Sequence, residues 1–296
     1  MTSAETFRRG LVAAICAYIC WGLLPLYFKA LHVVPPLELV GWRVVFTLPV
    51  CMAIVMVRGQ LSELRAAFAN PRVLGLMALS ALLIATNWLI YVIAINTGHV
   101  LATSLGYYIN PLINVVLGTV FLGERLSRVQ WGAVVLAGVG IALLLAGAVD
   151  TLAIALTLAV SFAFYGFVRK QAPVGAVPGL TIETTVLFIP AIAVVAMAAG
   201  SANGSSITLG SWTTPLIVAS GIATAVPLLL FAVAARSLPL STLGFVQFIA
   251  PTISFMLGLI VFGEELDATR LASFALIWAA IALYSWDMAK RAHAAR

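Results

Sequence analysis

The sequence predicts an all-α integral membrane fold, ten transmembrane helices built as two inverted five-helix repeats. Three observations carry that prediction. The chain is 63% hydrophobic and 9% charged, with a mean hydropathy of +1.12. A soluble domain of 296 residues could not hide that much apolar surface, so its solvent is lipid. Its apolar residues fall into runs of roughly 20, the length that crosses a bilayer as helix. Finally, a skeleton of residues recurs at an offset of 140 positions: Ile109, Pro111, Ile113, Leu117, Gly118, Gly123 and Glu124 return as Ile249, Pro251, Ile253, Leu257, Gly258, Gly263 and Glu264. Apolar segments share Ile and Leu cheaply. A proline inside a run, two glycines and a terminal Gly-Glu at fixed offsets instead mark one ancestral unit present twice.

Taken in order, the spans lie near 10–29, 37–57, 73–95, 100–122, 128–148, 151–169, 179–199, 212–234, 240–262 and 268–288. Runs this long are helical, because only helices or closed barrels satisfy backbone groups in hydrocarbon. Arg8-Arg9 before the first run resembles the start of a signal peptide. The run continues through Pro25 and Tyr27 to Lys29 without a small-residue cleavage site, so it reads as a retained span. Loop 58–72 carries Leu61, Leu64 and Phe68 on one side and predicts an amphipathic turn; loop 200–211, rich in Gly, Ser and Asn, predicts a flexible connector.

With the N-terminus inside, all of the 16 Lys and Arg except Lys29, Arg43 and Arg270 fall in inner loops or tails. Outer loops carry Asp150, Glu264, Glu265 and Asp267. The bias fits the positive-inside rule and places both termini in the cytoplasm. It also accounts for the net charge of +6, since the basic residues form no stripe and imply no nucleic-acid partner. Cys16, Cys20 and Cys51 give no even framework and read as small buried hydrophobes.

The halves, 1–149 and 150–296, hold five spans each. An odd number makes the second copy enter from the opposite side. The charges agree: Arg125 and Arg128 follow the first Gly-Glu, whereas Glu265 and Asp267 follow the second. Inverted repeats of this kind build transporters with a midplane site between the halves.

The candidate pathway residues follow from polar or aromatic character within spans. Tyr107, Asn110 and Asn114 share one face of span 4 beside Pro111. They could hold a solute's polar groups or bond neighbouring helices. Gln247 precedes Pro251 by one turn in the second copy, where Ala250 and Ser254 replace the asparagines, so the site is asymmetric. Span 3 offers Asn87, Trp88 and Tyr91, span 1 offers Tyr18 and Trp21 with Pro25, and span 6 offers Tyr165. Pro25, Pro111 and Pro251 are the expected helix-kink positions. Arg43 lies about six residues inside the outer end of span 2, roughly 9 Å deep, and Glu183 a few residues inside the inner end of span 7. Charges inside a membrane are costly and by default signal function, the alternative being a side chain that snorkels from an entrance. The two occupy equivalent positions in the copies, yet the inversion puts them at opposite depths, so separate polar contacts are expected, with Glu38 or a backbone carbonyl satisfying Arg43.

Enzyme signatures are missing: no Gly-x-Ser-x-Gly, no His-Glu-x-x-His, no P-loop Lys-Ser/Thr pair, and His32, His99 and His293 are scattered. No cofactor or metal is implied. A gradient or the solute's own concentration must then drive transport, unless another subunit helps.

Beyond these patterns, Trp21-Gly22-Leu-Leu-Pro25-Leu-Tyr27-Phe28-Lys29, Glu38 with Trp42-Arg43, Asn87-Trp88, and Ser104-Leu105-Gly106-Tyr107-Tyr108-Ile109-Asn110-Pro111 through Asn114 resemble the RarD family of EamA-type permeases, in the drug/metabolite transporter superfamily. Phe164-Tyr165-Gly166 with Arg169-Lys170, the run around Glu183, and Leu243-Gly244-Phe245-Val246-Gln247 extend the likeness from about Gly10 to Trp286. The resemblance implies a bacterial inner-membrane protein of two five-helix EamA repeats that exports small solutes; some members carry a chloramphenicol label. It supplies no list of binding residues. The expected function is a secondary transporter for small amphiphilic solutes, with the lipid bilayer and a small-molecule solute as its partners. The alternatives are a flippase for lipid-linked carriers, which a laterally open, basic-rimmed groove would favour, and a non-transporting scaffold or sensor. The sequence leaves monomer and homodimer open.

Overall fold

The computed structural model describes residues 3–97, 99–145, 152–202, 204–210, 212–261 and 268–294. Asp150 and the boundary between the expected repeats lie outside these residues, as do Gly263, Glu264, Glu265 and Asp267. The described residues form helices α1 (Ser3–Ala30), α2 (Pro36–Val57), α3 (Leu61–Ala69), α4 (Pro71–Asn96), α5 (Val100–Val116), α6 (Arg128–Leu145), α7 (Leu152–Gln171), α8 (Ala176–Ala199), α9 (Thr213–Ser237), α10 (Leu240–Gln247), α11 (Ile249–Ile260) and α12 (Ala268–Ala294). A π turn, Leu117–Phe121, extends α5, and a 3₁₀ turn, Ser206–Thr208, lies between α8 and α9. Among the described residues 10 spans are long and apolar enough to cross a membrane, with α10 and α11 sharing one span. The chain is a multi-pass membrane protein.

The expected spans and helices agree within a few residues except at α1, which begins at Ser3 rather than near Gly10, and at α12, which runs on to Ala294. α3 is the amphipathic turn grown into a full helix, with Leu64 and Ala67 buried and Leu61 and Phe68 exposed. The three expected kinks differ. Pro25 and Pro111 lie inside continuous helices α1 and α5. The span of Pro251 divides at Phe248, one turn before the proline, where its missing N–H and ring disrupt the ladder.

Lipid offers no hydrophobic drive between helices, so small residues and polar bonds hold the bundle. A Cβ on Gly106 would stand 2.9 Å from the Leu158 side chain and 3.0 Å from the Ala155 carbonyl, which is why α5 lies so close on α7. Gly140 brings α6 equally near α12 at the Ser273 carbonyl. α1 packs on α9, and α4 on α7; α2 packs on α8, and α6 on α12.

Connector 200–211 is not the loose segment its composition predicts. Glu38 accepts from Ser205 Oγ (2.7 Å), the Ser206 backbone N–H (2.8 Å) and Ser206 Oγ (2.7 Å), and Trp42 Nε1 adds a fourth bond at 3.1 Å. A carboxylate fixed by charge-assisted bonds fastens the connector to α2.

Candidate functional site

Five helices place polar and aromatic side chains around Arg43. Its Nε donates to Thr224 Oγ1 at 3.0 Å, joining α2 to α9. The guanidinium carbon lies 4.8 Å from the Trp88 ring centroid on α4 and 5.6 Å from Phe28 on α1. Tyr91 and Tyr107 bring their rings to 6.3 Å from each other, and these two with Tyr27 form the electrostatic surroundings of the guanidinium. Tyr27 itself donates to the Leu216 carbonyl at 2.5 Å. Arg43, Trp88, Tyr91 and Tyr107 are all half-buried, so each keeps part of its surface outside the sealed core.

Glu38 is absent from that wall, contrary to expectation, because the connector holds it. Thr224 takes the role foreseen for Glu38. Stacking on an aromatic face is worth about 0.5–2 kcal/mol, whereas a cation at the bilayer centre costs about 2.5–3.5 kcal/mol or more. Two rings and the Thr224 bond therefore offset a cost of the same order for holding Arg43 within the span.

Deeper in the bundle lies an aromatic cluster. Trp21 meets Tyr18 at 5.5 Å, Phe162 at 5.5 Å and Phe231 at 5.6 Å, and Tyr165 stacks on Phe231 at 5.7 Å. The buried Tyr18 hydroxyl has no hydrogen-bond partner.

Tyr165 links this cluster to Glu183, its hydroxyl 3.5 Å from Oε2. Glu183 is 1% exposed and accepts from Ser80 on α4. Its counter-ion is Arg169, 3.5 Å away and 2% exposed. Arg169 also donates to the Met77 sulfur (3.2 Å) and the Ala176 carbonyl (3.1 Å), while its Nε is unpartnered. Sequence reasoning counted Arg169 as a loop charge. The signal that could have found it is its position one turn after Tyr165 on the same helix.

The span 4 asparagines lie in helix contacts rather than on an open wall. Asn110 Nδ2 donates to the Ala159 carbonyl (2.6 Å), and Asn114 Nδ2 to Asn110 Oδ1 (3.1 Å) and Gln247 Oε1 (3.0 Å). Asn87 bonds the Leu158 carbonyl (2.9 Å) and Ser161 Oγ (3.0 Å) on α7. All four amide side chains are buried, and they clamp α4, α5, α7 and α10 together. Interhelical bonding, one of the two roles open to them, is the one they perform here.

At the arginine-rich end, two sets of bonds tie helix ends together. The Gly123-Glu124 motif turns the chain at Gly123, whose φ of +67° suits glycine. Glu124 then accepts from the Leu240 N–H (2.6 Å), the Ser241 N–H (3.0 Å) and Ser241 Oγ (2.7 Å), covering the positive N-terminus of α10. A Cβ on Gly118 would stand 2.5 Å from that carboxylate, so a larger residue there would displace the Glu124 side chain. Lys170 Nζ bonds the Ala235 (3.2 Å) and Leu238 (2.5 Å) carbonyls at the C-terminal end of α9. Beside these bonds runs an open groove of about 620 Å³ between α1, α2, α8 and α9, apolar along Val12, Ile54, Val57, Leu230 and Val233 and edged by Arg9 and Arg58. An adjoining hollow of about 360 Å³ adds Arg236.

A membrane-spanning helical bundle with half-buried cationic and aromatic side chains on one side and bonded helix ends on the other is compatible with a solute carrier. Comparison with known proteins gives the class its family. The EamA-like transporter family matches residues 8–146. An uncharacterized transporter of Pseudomonas aeruginosa is 44% identical over 291 residues, covering 96% of each chain. Protein RarD of Escherichia coli is 42% identical over 290 residues, again 96% of each. A solved structure described only as "Crystal structure of protein" aligns with TM-score 0.72 over 94% of this chain and 97% of its own at 20% identity, a likeness of fold alone. The chain belongs to the EamA-like transporter family, and it is a membrane transporter.

Proposed function

We propose that this transporter exports small amphiphilic solutes with aromatic character across the bacterial inner membrane by alternating access, with both termini in the cytoplasm. The observation that carries this reading is the asymmetry of the bundle: Arg43, Trp88, Tyr91 and Tyr107 stay half-buried on one side, while Glu124, Ser241 and Lys170 bond helix ends together on the other. The bonded end carries Arg9, Arg58, Arg125 and Arg236, which supports its being cytoplasmic. A C-terminal fluorescent-protein fusion should then glow and an alkaline phosphatase fusion should be inactive; the reverse pattern would invert the orientation.

Two inverted repeats, 1–149 and 150–296, supply the motion in this reading. The packing supports it: under the 140-residue offset α1 exchanges with α7 and α4 with α9, so that the α1–α9 contact becomes the α7–α4 contact. The function is tested by counterflow in proteoliposomes preloaded with a panel of neutral, cationic and anionic aromatic amphiphiles, chloramphenicol among them. Saturable exchange, weakened by Trp88→Ala, is the expected result. No exchange of any solute by folded protein would remove the reading.

The basic-edged groove favours a second reading, a flippase for lipid-linked carriers, with the chain along α1 and the phosphates at Arg9, Arg58 and Arg236. Lipid scrambling that is lost in Arg58→Ala, in protein without solute exchange, would favour it.

A further inference from the structure

We propose that Arg43 receives an anionic group of the solute, so that the substrates are aromatic organic carboxylates. This inference deepens the transport reading and rests on it. Arg43 is a permanent cation with a planar fork of five N–H donors. Thr224 takes the one at Nε. Among the described residues Arg43 forms no other side-chain hydrogen bond and no ion pair. Glu38, the nearest acid on its own helix, is filled by Ser205, Ser206 and Trp42. Glu183 is filled by Arg169 and Ser80.

A half-buried guanidinium inside a span, with no counter-ion among the described residues, is matched by an anion that arrives and leaves. A carboxylate fits the fork in a bidentate way. The rings of Trp88 and Phe28 beside the guanidinium, with Tyr91 and Tyr107, supply faces for an aromatic body next to that carboxylate. Thr224 holds the guanidinium from the α9 side and thereby orients the rest of the fork. The arrangement differs from that of Arg169, whose carboxylate is built in and whose surroundings are sealed. One arginine is structural, and the other is left for cargo.

The test uses matched solutes on one ring system, indole-3-acetate, indole-3-acetamide and tryptamine, alongside benzoate with benzamide. Counterflow is measured on wild type, Arg43→Gln and Arg43→Lys. A second readout is solute-dependent thermal stabilisation of the detergent-solubilised full chain. The expected result is exchange of the carboxylates at least tenfold faster than of their amides, and stabilisation by the carboxylates alone. Arg43→Gln should remove that preference, and Arg43→Lys should retain part of it. Should both variants misfold, the wild-type preference still decides. Equal handling of amide and carboxylate, or carboxylate exchange untouched in folded Arg43→Gln, would overturn the proposal while leaving transport in place. Absence of both exchange and stabilisation for every solute would overturn both.

Discussion

Glu183→Gln isolates the cost of an orphaned charge. Glutamine keeps the size of the side chain and an acceptor for Ser80, but it removes the only carboxylate that faces Arg169 among the described residues. The Arg169 guanidinium is then left without its carboxylate. At 2% exposure it has no water to turn to, and the Met77 sulfur and Ala176 carbonyl are poor substitutes for a counter-ion. Breaking a buried pair by removing one partner costs about 3–5 kcal/mol, whereas replacing both partners by apolar groups is often neutral. Glu183→Gln alone should therefore lose about 3–5 kcal/mol of unfolding free energy. Arg169→Met combined with it should recover most of that loss, because the methionine lies beside Met77.

The assay is reversible unfolding of reconstituted protein, by steric trapping or by titration of mixed micelles, on wild type, both single variants and the double. The coupling energy from the cycle should exceed about 2 kcal/mol. Additive single effects, or a Glu183→Gln cost below about 1 kcal/mol, would refute the account. The buried pair would then be a neighbour relation without energetic weight.

Two further outcomes follow from the interhelical bonds and the bonded helix ends. Asn114→Leu and Gln247→Leu should couple by about 0.6 kcal/mol and not above roughly 1.7, the range measured for polar pairs between membrane helices; a coupling of several kcal/mol would contradict the clamp reading. Glu124→Gln removes the charge that covers the α10 N-terminus, an interaction of about 0.3–2 kcal/mol. It should raise maleimide labelling of an introduced Ser241→Cys from the arginine-rich side, and unchanged labelling would mean that Glu124 does not hold that end closed.

Ten spans were legible because each is a long apolar run, and the amphipathic α3 because its loop pattern changes period. The Gly118, Gly123 and Glu124 motif was legible as a repeat, and its reason became visible only with α10 beside it. What the sequence hides is partnership. Thr224 and Arg43 are 181 residues apart, and Ser206 and Glu38 are 168 apart. No periodicity links residues that meet only after folding. Arg169 was assigned to a loop because it lies at the end of its apolar run, yet α7 continues to Gln171 and turns that guanidinium inward. The asparagines were ambiguous in sequence for a different reason: an amide side chain suits a solute and a neighbouring helix equally, and only burial separates the two uses.

The distribution of charge also bears on energy supply. Among the described carboxylates, Glu38 fastens the connector, Glu63 accepts from Gly175 N–H and Gln60, and Glu124 covers α10. Glu183 pairs with Arg169, Asp287 with Arg291 and Ser127, and Glu5 has interactions of its own. A proton-coupled carrier needs a carboxylate that exchanges a proton during the cycle, and each of these would first have to give up structural bonds. An anionic cargo needs no such group. With the interior negative, the membrane potential favours outward movement of a negative charge by about 2.3 kcal/mol per 100 mV, roughly a fiftyfold gradient. The cation that would bind the cargo and the field that would expel it thus belong to one mechanism. Carboxylate efflux from right-side-out vesicles should then quicken with an imposed interior-negative potassium-diffusion potential and ignore a pH gradient. Efflux that instead follows the pH gradient at zero potential would refute this account and point to a proton-exchanging group.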